Sequence, residues 1–347
     1  MPLTRPRATT TALLLAAPLA LAGCGSDSGS GSDSDADATS GGGNDAFPVS
    51  IKSSLGTAEI TEKPKKVVTL GQGSTETSIA LGTIPVGMEE YAWAADKTGY
   101  TPWVHEAVTD EGGKLPKFVG EGERLNMEKI LELEPDVILA PWSGITQEQY
   151  DSLSDIAPTV AYPDQAWSID WDEQIEIIGQ ALGQEDDAAE LVEDLETQLA
   201  DEAKKHPNWK NYTFSYIYTT PDTLGVFKPT EQRADMVRKL GLTSDPAIDE
   251  MKETEGTDSA IIGYENADKL GGSDLIFTFY SDSKAKKQAM SNKLYASIPA
   301  IKAGAVVSST DNSFVTASSM INPLTVPYAL KTYPDMIDAA IAKAEKK

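Results

Sequence analysis

The longest regular pattern in the chain runs from Gln184 to His206. Ala188, Leu191, Val192, Leu195, Leu199 and Ala203 recur at three- and four-residue steps on a charged background, with no Pro or Gly among them. Acidic residues crowd the start and Lys204, Lys205 and His206 close it, which suits the helix dipole at both ends; Pro207 and Asn208 stop it. The pattern predicts a helix of roughly 34 Å. Segments of similar size lie on either side, which leaves two readings. The helix is a rigid strut between two lobes, or a long helix inside one domain.

In the segment before it, short apolar runs alternate with amphipathic ones. Val49–Ile51 and Ala58–Ile60 around Gly56 predict a hairpin. Strands are predicted at Lys65–Leu70, Ile84–Met88, Lys117–Gly120, Asp136–Pro141 and Thr159–Tyr162. Between them the pattern predicts helices over Thr75–Leu81, Met127–Leu133 (capped by Asn126), Thr146–Ser152 and Trp171–Leu182, the last closed by Gly183. This alternation implies a largely parallel sheet with helices on both faces. The segment after the long helix echoes the first. Glu128, a helix, a break and Asp136 before an apolar strand reappear as Glu265, a helix, a break and Asp274 before another. The fold class expected is α/β, with two Rossmann-like lobes joined by a single long helix. Its boundaries are 47–183 for the N-terminal lobe, 184–206 for the connecting helix and 207–347 for the C-terminal lobe.

The amino terminus has a different character. Arg5 and Arg7 precede an apolar run, Thr11–Leu21, and small residues follow. This is the layout of a secretory signal peptide over residues 1–23, too short for a comfortable membrane span. Leu21-Ala22-Gly23-Cys24 resembles a bacterial lipobox, and the resemblance implies cleavage before Cys24 and its lipidation, as with palmitate. Cys24 is the only cysteine of the 347 residues, so a mature chain whose thiol is lipidated folds without disulfides. The stretch to residue 46 is Gly-, Ser- and Asp-rich and predicts a flexible tether.

Composition narrows the functions. Lys and Arg total 29 against 54 Asp and Glu, a net charge of −25, which argues against nucleic acid as a partner. His105 and His206 are the only histidines, so no His-Cys cluster offers a zinc or iron site. No Ser-His-Asp set, nucleophile elbow or Walker loop is present, and the chain is not expected to be an enzyme. Three arginines remain beyond the leader: Arg124, Arg233 and Arg238.

Several motifs together resemble the iron-siderophore and cobalamin substrate-binding proteins of ABC importers. They are the lipobox, Lys65–Leu70, Thr75-Glu76 with Leu81-Gly82, Pro85-Val-Gly87, Asn126–Ile130, Glu134–Leu139, Gly241-Leu242, the Glu265 segment and Ala305–Val307. The likeness spans about residues 47–345 and implies that the ligand is held in a cleft between the two lobes. It implies that Glu128 and Glu265, one on each lobe, dock onto arginines of the membrane permease. Loops at the strand carboxyl ends line the cleft in open α/β sheets. That places Gln72, Tyr91, Trp93, Arg124 and Trp142 on one wall and Tyr218, Arg233, Tyr280 and Phe314 on the other. Aromatic residues more often serve a core. Of Phe214, Tyr216 and Tyr218, which share a strand face, only Tyr218 is assigned to the cleft, and Trp209 is expected to pack under the strut's end.

The function expected is capture of a ferric siderophore and its delivery to an ABC importer. The protein would act as a monomer tethered by lipid on the outer face of the cytoplasmic membrane of a Gram-positive bacterium. Iron would be bound only within the siderophore, with no cofactor and no protein metal ligands. Haem or cobalamin is the alternative ligand; an adhesion module or a surface hydrolase is the alternative class.

Overall fold

A computed structural model describes residues 46–254 and 257–346. The leader, Cys24 and nearly all of the tether lie outside the described residues. Thirteen strands follow in chain order: β1 (Val49–Lys52), β2 (Thr57–Ile60), β3 (Val67–Thr69), β4 (Gly87–Met88), β5 (Lys117–Phe118), β6 (Val137–Leu139), β7 (Thr159–Val160), β8 (Thr213–Thr219), β9 (Leu224–Phe227), β10 (Thr243–Ser244), β11 (Ser259–Ile261), β12 (Leu275–Phe279) and β13 (Val306–Ser309). β1 and β2 form the antiparallel hairpin. β3 to β7 make a parallel sheet in the order β5-β4-β3-β6-β7. The second sheet runs β11-β9-β8-β12-β13, with β10 also paired to the start of β8. Its β8, β10, β12 and β13 are parallel, whereas β9 and β11 run antiparallel to their neighbours.

The repeated Asp has a structural reason. In the first sheet the Asp136 carboxylate accepts from the backbone N–H groups of Lys65 and Lys66, at 2.7 and 2.8 Å, just before β3. In the second, Asp274 accepts from the backbone N–H and hydroxyl of Thr213, at 2.9 and 3.0 Å, where β8 begins. Each Asp also donates its own N–H to the adjacent strand, to Lys66 in one case and Thr213 in the other. One carboxylate per lobe thus sets the register between the central strand and its parallel neighbour.

The long helix spans Glu185–Lys205 and buries Ala188, Leu195, Leu199 and Glu202. It lies along the helix Trp171–Leu182, which ends on left-handed Gly183. A Cβ at Gly179 of that helix would overlap the Ala188 side chain, so glycine there lets the two backbones approach. Leu195 and Leu199 belong to one apolar cluster that joins Ile175 and Ile178 of the first lobe to Met236 and Leu240 of the second. At the helix's end Trp209 is fully buried, stacks on His206 at 4.1 Å and donates to Asp338 at 2.7 Å. The described residues fall within one compact unit.

Several elements differ from the sequence expectation. Pro102–Asp110 is a helix that the apolar spacing does not announce. Its buried residues, Trp103, Val104 and Val108, are too few to mark a stripe, and glycines flank it. The Glu265 segment, Tyr264–Leu270, is a 3-10 helix rather than an α-helix, with Asn266 off helical geometry. The five helices expected between Thr75 and His206 lie within two residues of their bounds, whereas those between Ser283 and Ala344 carried no expectation. Arg233 is in the first turn of Gln232–Lys239.

Candidate ligand-binding cleft

In the first sheet the chain leaves β3 toward β4 and β5, then returns to β6 on the other side. The loops after β3 and β6 therefore diverge at a topological switch point, the usual place for a ligand in an open parallel sheet. Gly71 and Gln72 follow β3, and Trp142 follows β6 shortly after its end. Gly71 adopts φ 72°, and a Cβ there would overlap the Trp142 carbonyl oxygen, so these loops can touch only because Gly71 has no side chain. The Gln72 carbonyl accepts from the Gln174 amide at 2.6 Å.

An open cavity of about 310 Å³ lies beside this point. Gln72 and Tyr91 line it from the first lobe and Thr316 and Met320 from the second. Behind it, Met88, Trp103, Ala317, Met320 and Ala329 share a small apolar cluster, and Trp103 meets the Tyr328 ring edge-on at 5.3 Å. The Ser313 hydroxyl also donates to the Ala94 carbonyl at 2.8 Å, so the lobes touch on this side.

Two buried carboxylates form part of this wall, and sequence reasoning missed both. Glu76 lies in the first turn of the helix Ser74–Ala80 and accepts from the Trp103 indole at 2.8 Å. Burial pushes its carboxyl above the usual range, and the Trp103 bond partly opposes the rise. Glu89 accepts from the Gly71 N–H at 2.7 Å and the Gly122 N–H at 2.6 Å, tying two loops of the wall together. Burial holds the Tyr91 phenol far above its ordinary value, and the carboxylates of Glu89, Glu76 and Glu121 add to this. In so acidic a chain nothing in the sequence marks two glutamates as cleft residues. Only the fold brings them together.

In the second lobe Arg233 lines neither cavity but is held by its own neighbours. Its guanidinium lies over the Phe227 ring at 4.0 Å and near Phe279 at 5.7 Å. Its Nε donates to Glu231 at 2.8 Å, and the other oxygen of Glu231 accepts from the Arg233 N–H at 3.0 Å. Glu231 is thereby the N-cap of this helix, and it offsets a cation that the helix dipole would otherwise disfavour. A second cavity, of about 200 Å³, is lined by Tyr216, Phe279 and Phe314.

Phe214 and Tyr216 are buried, whereas Tyr218 is half-buried at the end of β8, beside Phe227 at 5.0 Å and bonded to the Ser259 hydroxyl at 3.1 Å. Tyr280 does not line either cavity. It is buried with its hydroxyl 2.6 Å from that of Tyr295. Alternation along the strand explains this: Phe279 faces Arg233, so its neighbour takes the opposite side. Trp93 is 45% exposed and outside both cavities. Arg124 is also outside them, exposed and paired with Glu121 at 3.1 Å. Trp142 packs against Trp167 at 4.8 Å, and Trp167, absent from the sequence expectation, is itself 48% exposed at positive φ. Glu128 and Glu265 are both exposed, near the starts of corresponding helices in the two lobes.

Residues 67–312 match the periplasmic binding protein family model. The chain belongs to that family. It is 26% identical over 277 residues to the probable siderophore-binding lipoprotein YfiY of Bacillus subtilis, covering 74% of this chain and 78% of that one. Among solved structures it resembles Streptococcus pneumoniae PiaA in complex with ferrichrome (32% identity, TM-score 0.75), covering 85% of this chain and 99% of that one. It also resembles Staphylococcus aureus SirA complexed with staphyloferrin B, at 26% identity and TM-score 0.63, covering 86% and 98% of the two chains. Both neighbours bear out the two-lobed α/β fold. Among the described residues no helix is long and apolar enough to cross a membrane, and no group of three or more His, Cys, Asp or Glu is placed to hold a metal ion.

Proposed function

We infer that this protein captures a ferric siderophore outside the cytoplasmic membrane and delivers it to an ABC importer for iron uptake. The observation that carries this is the similarity to PiaA, solved with ferrichrome and covered over 99% of its length. The cleft agrees with it. A cavity lined from both lobes at a sheet switch point, with Tyr91 and Trp103 on its wall, suits a partly apolar chelate. Iron is held by the chelator, so the protein contributes shape, rings and hydrogen bonds rather than metal ligands. The connecting helix divides an N-terminal lobe from a C-terminal one. Lipid on Cys24 keeps the monomer at the outer face of the membrane, and the segment after it acts as the tether.

The test is a tryptophan-fluorescence titration of the full chain in detergent, with calorimetry to confirm each hit. Ferric siderophores should bind saturably at submicromolar Kd and their iron-free forms much more weakly. Tight binding of haem or cobalamin alone would overturn the ligand but keep the importer role. For the anchor, Cys24→Ser should release the protein from the membrane fraction.

A further inference from the structure

The charges around the cleft are one-sided. Glu76 and Glu89 line the larger cavity, no Lys or Arg lines either cavity among the described residues, and Glu121 adds its field at Tyr91. Arg124 and Arg233, which line neither cavity, are matched within the chain: Arg124 pairs with Glu121, and Arg233 pairs with Glu231 and has Asp258 in its field. The net charge of −25 has the same sign. A second observation points to a ligand. Thr101, 4% exposed on the wall of the larger cavity, precedes the helix Pro102–Asp110, yet its hydroxyl caps nothing and has no partner among the described residues. A buried hydroxyl without a partner in the protein is satisfied by water or by a bound molecule.

Siderophore classes differ in the charge they leave on iron. Three hydroxamates, each a monoanion, neutralise a ferric ion. Three catecholates, each a dianion, leave the complex trianionic, and carboxylate chelates are anionic as well. In a cleft partly shielded from water, carboxylates repel an anionic chelate more strongly than they would in solvent. Resting on the siderophore reading, we propose that this cleft selects an iron chelate without net negative charge, a ferric tris-hydroxamate, whose hydrogen-bonding groups meet Glu76, Glu89 and Thr101. The arginines stabilise the wall; they do not attract an anion.

The experiment is calorimetric titration of the full chain in detergent with ferrichrome, ferric enterobactin and ferric staphyloferrin B, at low and high salt. Ferrichrome should bind at least about tenfold tighter than either anionic chelate and vary little with salt. Binding of the anionic chelates should improve as salt screens the wall. Glu76→Gln keeps an acceptor for the Trp103 indole and should narrow the discrimination at least about threefold. A thermal melt shows whether that variant is folded; if it is not, the wild-type affinity order and its salt dependence decide. Tighter binding of enterobactin or staphyloferrin B than of ferrichrome overturns this proposal and leaves the siderophore reading standing. Binding of none of the three overturns both.

Discussion

Arg233 and Glu231 show what one ion pair does in the second lobe. Burial holds the Glu231 carboxyl above the ordinary glutamate range, and Arg233 limits the rise. A carboxyl whose folded value exceeds its unfolded value binds more protons in the folded state, so its contribution to stability falls as pH climbs between the two values. Removing Arg233 lifts the folded value further. Arg233→Ala should therefore cost about 3 kcal/mol at neutral pH, the scale for breaking a buried pair. The loss should shrink in acid, below the ordinary glutamate range, where Glu231 is protonated in both states. Urea unfolding at the two pH values measures this, and Glu231→Gln in the same background should recover part of the neutral-pH loss. An equal loss at both pH values would mean that Arg233 acts through its packing on Phe227 instead.

At the scale of elements, the repeated Asp was legible as a spacing and acquires a cause as a strand clamp. Asp136→Ala and Asp274→Ala should each lower the melting temperature by about 2–4 °C. Because the clamps sit in different sheets, their effects should add. Siderophore affinity should not change, since neither Asp lines a cavity; a loss of binding in either variant would mean that strand register reaches the cleft. The long helix, the hairpin, the parallel first sheet and Gly183 were legible for the same reason: each rests on local periodicity or a local cap. Pro102–Asp110 was not, because it is held by tertiary contacts of Trp103 rather than by a stripe of its own. The cleft was readable only in part. The switch-point loop at Gln72 follows from strand direction. Tyr280 is buried while Phe279 lines a cavity, because a one-residue phase is invisible without the sheet. Glu76 and Glu89 are ordinary glutamates until the fold buries them.

At the scale of the whole molecule, the proposed delivery to an importer calls for a face that meets the permease and for walls that hold their geometry. Glu128 and Glu265 are exposed on corresponding helices, outside both cavities. The double variant Glu128→Ala/Glu265→Ala should bind siderophore normally yet fail to support its uptake into cells; weakened binding would place these residues elsewhere in the mechanism. Lobe motion is limited by two connections rather than one. The helix Glu185–Lys205 is packed into both lobes along its apolar stripe, and the cluster of Trp103, Met320 and Ala329 joins them again behind the cavity. Closing the cleft by a wide swing would have to separate that second contact and expose a buried tryptophan. Solution scattering should therefore show a change in radius of gyration under about 1 Å on siderophore binding. Trp103→Ala removes the second connection together with the donor to Glu76, and should cost about 3–5 kcal/mol of stability. If it remains folded, it should show the larger change on binding that the wild type lacks. A large closure in the wild type would mean that the Trp103 cluster opens in the free protein, and the connecting helix alone would then set the geometry of the two walls.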